Sequence, residues 1–438
     1  MGPSGALVRV YVESFGCSQN QGEGAGIARE LARRGHELAR GPSEADVGIL
    51  VTCGVIAPTE GRMVRRWQAL SARIPRVVVT GCLVPLRTQL MVGPGQERTT
   101  FVPIREQSTI PALLDAWSAA TPLPRVGFPG DIAPSVPATS SSALSRSTVV
   151  EEVIIAQGCT SGCTYCFSRL ARGPLESVPI PEVTRRVREA VARGAREIRL
   201  TALDTAAWGL DLPGTDRLPD LVRAVGDVPG DFRVRVGMMS PQSLEPLLSS
   251  YLEALSEGTA YRFLHLPLQS GSDRILDAMR RGYRSELFRR EVEAARRRLS
   301  DLHLSTDVIV GFPGETEDDF LSTEALLEEV GPETVNVTRF SPRPGTPAAH
   351  LGGLPPRVAK RRSRDLAVLR HRISRNRLER WIGTRAVGRV LEHGPGGSAV
   401  ARLGNYLPVV LDRRPPLGAD LELRVDGARS TYLLGTPV

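Results

Sequence analysis

Six cysteines carry the strongest chemical signal in this 438-residue chain, at positions 17, 53, 82, 159, 163 and 166. The run Gly158-Cys159-Thr160-Ser161-Gly162-Cys163-Thr164-Tyr165-Cys166 gathers three thiols on one short loop, directly after an apolar stretch. Three thiolates that close together can hold a single inorganic centre. On a four-iron cluster they would leave one iron open to an outside ligand, unlike the four-cysteine pattern of electron carriers. A closed structural zinc site wants four ligands, and no fourth Cys or His follows at finger-like spacing. The six histidines (36, 265, 303, 350, 371 and 393) are scattered. Zinc and incidental thiols stay open as readings of the spacing alone. Disulfides are disfavoured in a reducing compartment, and the other three cysteines, taken singly, could be small buried hydrophobes.

The elements around them decide whether those dispersed thiols can meet. Residues 8–12, 47–51 and 77–79 read as strands, with helical patterns over 22–40 and 58–73. That alternation predicts an α/β domain over 1–118, a doubly wound parallel sheet with right-handed crossovers. Cys17, Cys53 and Cys82 each stand just past one of its strands, where open parallel sheets bind ligands. Residues 119–148, rich in Pro and Ser, read as a linker. A second alternating region follows over 149–356, with strands expected at 151–156, 197–201, 232–238, 261–266, 304–310 and 334–340. Six such units fit a partial (β/α)6 barrel with its chemistry at the strands' carboxyl ends. A helix over 357–380 leads to a final segment, 381–438, with short strands at 386–391, 406–411 and 420–425 and a Gly394-Pro395-Gly396-Gly397 turn, which suggests a small β-barrel.

Charge is unevenly placed. The net charge is +8, yet between residues 357 and 385 ten arginines and Lys360, the chain's only lysine, face only Asp365 and Glu379. Such a face suits a polyanion; a solvated helix in an arginine-rich sequence is the plainer reading. Hydrophobic content of 41% and charge content of 24% exclude global disorder. No apolar run is long enough to cross a bilayer, and Met1-Gly2-Pro3-Ser4-Gly5 lacks a signal-peptide pattern. A cytoplasmic protein without membrane attachment is expected.

Cys-x-x-x-Cys-x-x-Cys, with an aromatic before its last cysteine, resembles the radical S-adenosylmethionine motif. Gly16-Cys17-Ser18-Gln19-Asn20, Thr52-Cys53 and Thr80-Gly81-Cys82 resemble the amino-terminal domain of the methylthiotransferases. Leu266-Pro267-Leu268-Gln269-Ser270-Gly271-Ser272, Thr306-Asp307-Val308-Ile309-Val310-Gly311-Phe312-Pro313-Gly314-Glu315-Thr316 and Phe340-Ser341-Pro342-Arg343-Pro344-Gly345-Thr346-Pro347 resemble barrel segments of that family. Gly404-Asn405-Tyr406-Leu407-Pro408-Val409-Val410 is similar to its terminal RNA-binding barrel, called TRAM. The resemblance runs through nearly the whole chain in the family's order.

It implies two [4Fe–4S] clusters: a radical-generating one on Cys159, Cys163 and Cys166, whose open iron binds S-adenosylmethionine, and an auxiliary one on Cys17, Cys53 and Cys82. It also implies that Tyr165, Thr201, Asp204, Gln269 and Gly311 line the cofactor, although Tyr165 could pack under its loop and Asp204 could cap a helix. Leu203, Ala206 and Val51 depart from residues common at those places in relatives. The loop Ala171-Arg172-Gly173-Pro174-Leu175-Glu176-Ser177-Val178-Pro179 resembles the archaeal and eukaryotic subgroup, with Phe167 and Arg169 replacing lysines frequent there. That subgroup methylthiolates C2 of N6-threonylcarbamoyladenosine-37 (t6A37) in the tRNA anticodon stem-loop. The resemblance thus implies tRNA and a flavodoxin- or ferredoxin-like electron donor as partners of a monomer. Other targets of the family are i6A37 tRNA and a ribosomal protein aspartate; outside enzymes, the alternative is a non-catalytic iron–sulfur RNA-binding protein.

Overall fold

The computed structural model describes residues 7–120, 140–142 and 149–438. The chain forms two compact units, one of residues 1–146 with 166–173 and 343–345, the other of residues 147–165, 174–342 and 346–438.

In the first unit, β1 (Arg9–Phe15), α1 (Ser18–Arg33), β2 (Glu37–Leu38), β3 (Val47–Thr52), α2 (Ala57–Ser71), β4 (Arg76–Gly81), α3 (Val84–Arg87), β5 (Thr99–Phe101) and α4 (Ile110–Ala120) follow in order. The sheet runs β2-β1-β3-β4-β5, all parallel. Every residue of β3 is buried, as befits a central strand covered on both faces. Alternate residues feed two cores: Tyr11, Leu50, Val79, Trp67 and Leu70 on one face, and Val10, Val12, Ile49, Val78, Leu31 and Leu114 on the other. Strand order reverses between β1 and β3, which is the topological switch point of this sheet. The helix expected over 22–40 lies at 18–33, starting directly after Cys17. Of the expected linker, 119–120 end α4, and β6 (Ser140–Ser142) pairs antiparallel with β1, on the part of its edge that the two-residue β2 leaves free. The rest of that linker lies outside the described residues. A short helix, α5 (Phe167–Arg172), also belongs to this unit.

The second unit opens with β7 (Val150–Ile154), β8 (Ala156–Gln157), β9 (Glu176–Ser177), α6 (Ile180–Ala192), β10 (Glu197–Thr201), α7 (Leu218–Gly226) and β11 (Arg233–Val236). It continues with α8 (Pro241–Leu244), α9 (Leu248–Glu257), β12 (Phe263–His265), α10 (Asp273–Ala278), α11 (Ser285–Arg298), β13 (His303–Val310), α12 (Glu317–Val330) and β14 (Thr334–Arg339). All six expected barrel strands are present. They form two parallel sheets, β7-β10-β11 and β12-β13-β14, with a parallel bridge between Val234 and Ala260 where the two meet. Helices cover the outside by burying one stripe, as α6 does with Val183, Val187 and Ala190.

Then come α13 (Pro356–Glu379), β15 (Arg385–His393), β16 (Ala399–Leu403), β17 (Pro408–Leu411), β18 (Asp420–Ala428) and β19 (Leu433–Pro437). These strands close a barrel in the order β15-β16-β17-β19-β18. Two of them, β16 and β19, lie outside the three expected strands. The strand expected from 406 begins at Pro408, because Tyr406 turns the chain with a φ of 71°. Helix α13 packs into both parts of the unit: Leu366, Leu369 and Ile373 enter the large barrel's core, and Leu378 enters the small one's.

Candidate functional site

Cys17, Cys53 and Cys82 follow the last residues of β1, β3 and β4, so the first two flank the switch point of the sheet. Gly16 and Gly81, the residues before Cys17 and Cys82, both have φ near +100° and sit against β3's end. A Cβ on Gly16 would lie 2.8 Å from Cys53 Sγ, and one on Gly81 would lie 2.3 Å from Thr52 O. Glycine is therefore required for these loops to fold inward. Asn20, fully buried, ties the strand ends together. Its Nδ2 donates to Phe15 O at 2.7 Å and to Thr52 O at 2.9 Å, and its Oδ1 stands 3.9 Å from Cys17 Sγ and 3.8 Å from Cys82 Sγ. Cys17 is exposed while Cys53 and Cys82 are buried. Burial pushes the Cys82 thiol up to about 12, with Cys17, Glu23 and Cys53 adding to the rise and Arg172 opposing it.

Arg172 is the residue that spacing alone did not single out. On α5, at 1% exposure, it donates through Nη1 to Glu23 Oε1 at 2.5 Å. Its Nη2 donates to Glu23 Oε2 at 3.1 Å and to Asn20 Oδ1 at 2.6 Å. A buried cation beside three thiols favours their ionised form, the form that binds iron. Phe167 and Ala171 of α5 pack in one apolar cluster with Cys82 and Ile104. The buried Arg343 guanidinium lies 4.6 Å from the Phe167 ring and pairs with Glu60.

Each thiol of the clustered trio has its own donor. Ser161 N–H donates to Cys159 Sγ at 3.3 Å, Arg169 N–H to Cys166 Sγ at 3.4 Å, and Arg281 Nη1 to Cys163 Sγ at 3.2 Å. Arg281 was missed by the sequence reading because it lies more than a hundred residues away. It is buried, also reaches Tyr165 Oη at 3.5 Å, and lies over the Tyr283 ring at 5.3 Å. Tyr283 Oη donates to Leu268 O at 2.7 Å, next to Gln269. Gln269 holds a φ of 66°, and among the described residues its buried Oε1 has no hydrogen-bond partner; neither has Arg281 Nε.

Of the other expected cofactor residues, Tyr165 packs with Ile275, Met279 and Phe312. Asp204 accepts from Ser240 N–H at 3.0 Å and Ser243 Oγ at 2.7 Å, at the start of α8; burial raises the Cys159 thiol's pKa, and the Asp204 charge adds to that rise. Thr201 is buried at the end of β10. Gly311 is explained by packing: a Cβ there would lie 2.7 Å from Ala359 Cβ on α13.

Residues 153–327 match the Radical SAM superfamily, and residues 9–99 match the uncharacterized protein family UPF0004. A probable threonylcarbamoyladenosine tRNA methylthiotransferase of Methanothermobacter thermautotrophicus is 37% identical, the alignment covering 98% of this chain and 99% of that one. The protein of the same name in Pyrococcus horikoshii is also 37% identical, with the same coverage. The mouse threonylcarbamoyladenosine tRNA methylthiotransferase is 30% identical over 99% of this chain and 74% of its own. The chain belongs to the threonylcarbamoyladenosine tRNA methylthiotransferase family. In fold it is similar to the radical S-adenosylmethionine methyltransferase TsrM from Kitasatospora setae, with a TM-score of 0.53, 13% identity, and coverage of 74% of this chain and 73% of that one.

This methylthiotransferase is a radical enzyme whose cofactors are two [4Fe–4S] clusters and S-adenosylmethionine. The donors present fit them. There are two sets of three thiols, and Gln269 Oε1 and Arg281 Nε are an unpartnered acceptor and donor of the kind an amino acid zwitterion satisfies. Among the described residues no three Cys, His, Asp or Glu side chains meet at single-ion distance. A four-iron cluster spreads its thiolates over different irons, so such convergence is not what it asks for.

The methylthiotransferase's basic helix is partly neutralised within the chain. Arg361 and Arg362 pair with Glu317, Arg372 with Glu328, Arg375 with Glu379 and Arg377 with Glu333. Arg357, Lys360, Arg364 and Arg380 remain exposed. The Gly404-Asn405-Tyr406 turn is a docking element rather than an open surface. Gly404 O accepts from Arg262 N–H at 3.1 Å, Asn405 Nδ2 donates to Asp301 O at 2.8 Å, and Tyr406 packs 5.0 Å from the rings of both Tyr261 and Phe263.

Proposed function

We propose that this chain inserts a methylthio group at C2 of N6-threonylcarbamoyladenosine-37 of tRNA, converting t6A37 to ms2t6A37. In this reading Cys159, Cys163 and Cys166 hold the radical-generating cluster, and Cys17, Cys53 and Cys82 hold the auxiliary one. The observation that carries it is the second trio: three thiols brought to adjacent strand ends around Asn20 have no use in a simple radical enzyme.

When bound, the clusters and S-adenosylmethionine supply the electron, the methyl group and the sulfur needed to replace a non-acidic C–H bond by a C–S bond. The protein's own part is electrostatic and positional. Arg172, fixed by Glu23, offsets negative charge at the auxiliary thiolates, and Asn20 locks the spacing of the strands that carry them. Arg281 and the Ser161 and Arg169 amides do the same for the clustered thiolates. Arg281 Nε and Gln269 Oε1 would offer a donor and an acceptor to the carboxylate and amino groups of the cofactor's methionine, and Thr201, Asp204 and Tyr165 would line the rest of it. Burial of Cys53 and Cys82 keeps water from the sulfur.

The exposed cations of α13 position the anticodon stem through its phosphates without reading sequence. An unstacked loop base is accessible to such an enzyme. A flavodoxin- or ferredoxin-type donor reduces it, and it works as a cytoplasmic monomer; no helix among the described residues is long and apolar enough to cross a membrane. Mass spectrometry of tRNA nucleosides from cells lacking the gene tests the assignment. Loss of the methylthio form with accumulation of t6A is expected, and an unchanged profile would sink it.

A further inference from the structure

A cavity of about 380 Å³ lies at the opposite end of the barrel from the strand ends that lead to the cysteine loop. The amino ends of β12, β13 and β14 wall it with Phe263, His303 and Thr334, and the docked Tyr406 turn closes one side. Three arginines from three different elements face it: Arg235 of β11, Arg370 of α13 and Arg402 of β16.

Their partners leave positive charge in surplus. Arg402 has Glu392 at 3.6 Å and donates through Nη1 to Tyr406 O at 3.4 Å, and among the described residues Arg370 has only Val335 O at 3.2 Å. Among the described residues Arg235 has no carboxylate within ion-pair distance, and its Nε is shut from solvent without a hydrogen-bond partner. Its contacts are the faces of Phe263, at 5.0 Å, and Tyr406, at 5.7 Å. Among the described residues Arg370 Nε and Arg402 Nε are unpartnered too. His303 registers the field: burial, then Arg402, Arg235 and His265 together, hold its pKa down at about 3. The one carboxylate lining the cavity among the described residues, Glu333, is already engaged by Arg296 and Arg377, and His265 of the wall pairs with Asp307 behind it.

An unpaired guanidinium in such a place is costly unless an anion meets it. The planar fork of arginine, presented three times, matches a tetrahedral oxyanion. We propose that this cavity binds a phosphate ester, with Arg235 at its floor and Arg370 and Arg402 at its sides. The phosphate enters along the groove that meets the cavity at His371 and Ser430, a groove lined by Arg372, Arg375 and Arg429. The buried rings of Phe263 and Tyr406 hold the Arg235 guanidinium against their faces and so fix it at the cavity wall. The source is a nucleotide of bound RNA or a free nucleotide; the recognition chemistry is the same. This inference does not rest on the assignment of the clusters.

Binding of inorganic phosphate, AMP and an anticodon stem-loop RNA to the reconstituted holoenzyme, measured by calorimetry, tests it with Arg235→Gln and Arg370→Gln. Phosphate should bind the native enzyme, and roughly tenfold or more weakly to either variant. Displacement of phosphate by the stem-loop would assign the site to RNA, and displacement by AMP alone would assign it to a free nucleotide; both support it. Equal phosphate binding by native enzyme and Arg235→Gln, or none by either, would overturn it. So would a lowered melting temperature of Arg235→Gln in phosphate-free buffer, because the cation would then serve the fold.

Discussion

The two cysteine trios solve one problem by opposite means. Cys159, Cys163 and Cys166 are neighbours in the chain, within eight residues, and each thiol has a separate donor. Cys17, Cys53 and Cys82 are close because a parallel sheet brings three strand ends together and one side chain, Asn20, spans them. The first arrangement is local and survives damage elsewhere. The second is as stable as the sheet that makes it, and the buried Arg172–Glu23 pair fixes a cation beside its thiols. What is local in sequence can be read from a motif; what is made by topology needs the fold.

The largest effect should come from breaking the local trio. Cys159→Ala should abolish cleavage of S-adenosylmethionine and lower iron from roughly eight to roughly four atoms per chain. Iron counts and 5′-deoxyadenosine assays check both, and retained cleavage would contradict the assignment. Changing Cys17, Cys53 and Cys82 together to Ala should also halve iron and end methylthiolation, yet spare cofactor cleavage. Loss of all iron would mean the sites are not separable. In iron-free protein the dispersed trio should itself divide. At pH 8 iodoacetamide should label exposed Cys17 and spare Cys82, whose thiol, raised by burial to about 12, stays protonated until strongly alkaline pH. Peptide mapping reads this directly, and equal labelling would show that the strand ends are open.

The charge pair can be broken next. Arg172→Gln leaves Glu23 buried without its partner, which should cost about 3–5 kcal/mol. Adding Glu23→Gln should recover part of that loss. Hydrogen exchange in β1 and β3 is the suitable measure, since the damage belongs to the first unit. No recovery in the double variant would show that the two side chains act independently.

Much of this was legible in advance. All six strands of the large barrel and the central strands of the first sheet come from apolar runs whose length and β-branching leave little choice. The position of each dispersed cysteine after a strand followed from the same runs. The small barrel was read less completely: β16 (Ala399–Leu403) interleaves Arg402 with its apolar residues, and β19 (Leu433–Pro437) carries Gly435 and ends in proline, so neither resembles a strand alone. Gly311, expected at a cofactor-lining turn, packs against Ala359 at a positive φ, and Asp204 combines a place near Cys159 with a capping role. Arg172 and Arg281 were invisible as site residues. In a chain with a single lysine, arginine is everywhere, and what marks these two is burial together with contact to the cysteine sites, Arg281 at Cys163 and Arg172 at Asn20.

Arg281 offers the finest test of the contrast between local and topological assembly. It is a long-range contribution to a trio that is local in sequence, donating to Cys163 Sγ at 3.2 Å from beyond α10. Arg281→Lys keeps the charge but loses the fork, so it cannot reach Cys163, Tyr165 and Ser240 at once. If the trio is assembled by its loop, the variant should still bind a full complement of iron. Affinity for S-adenosylmethionine should fall by roughly tenfold, the worth of one charge-assisted hydrogen bond. The cluster's midpoint potential should shift as well, because a donor to its sulfur is gone. Equilibrium binding and redox titration followed by electron paramagnetic resonance read these apart. Loss of iron would instead make Arg281 to the clustered trio what Asn20 and Arg172 are to the dispersed one, and the two sites would differ in chain distance but not in kind.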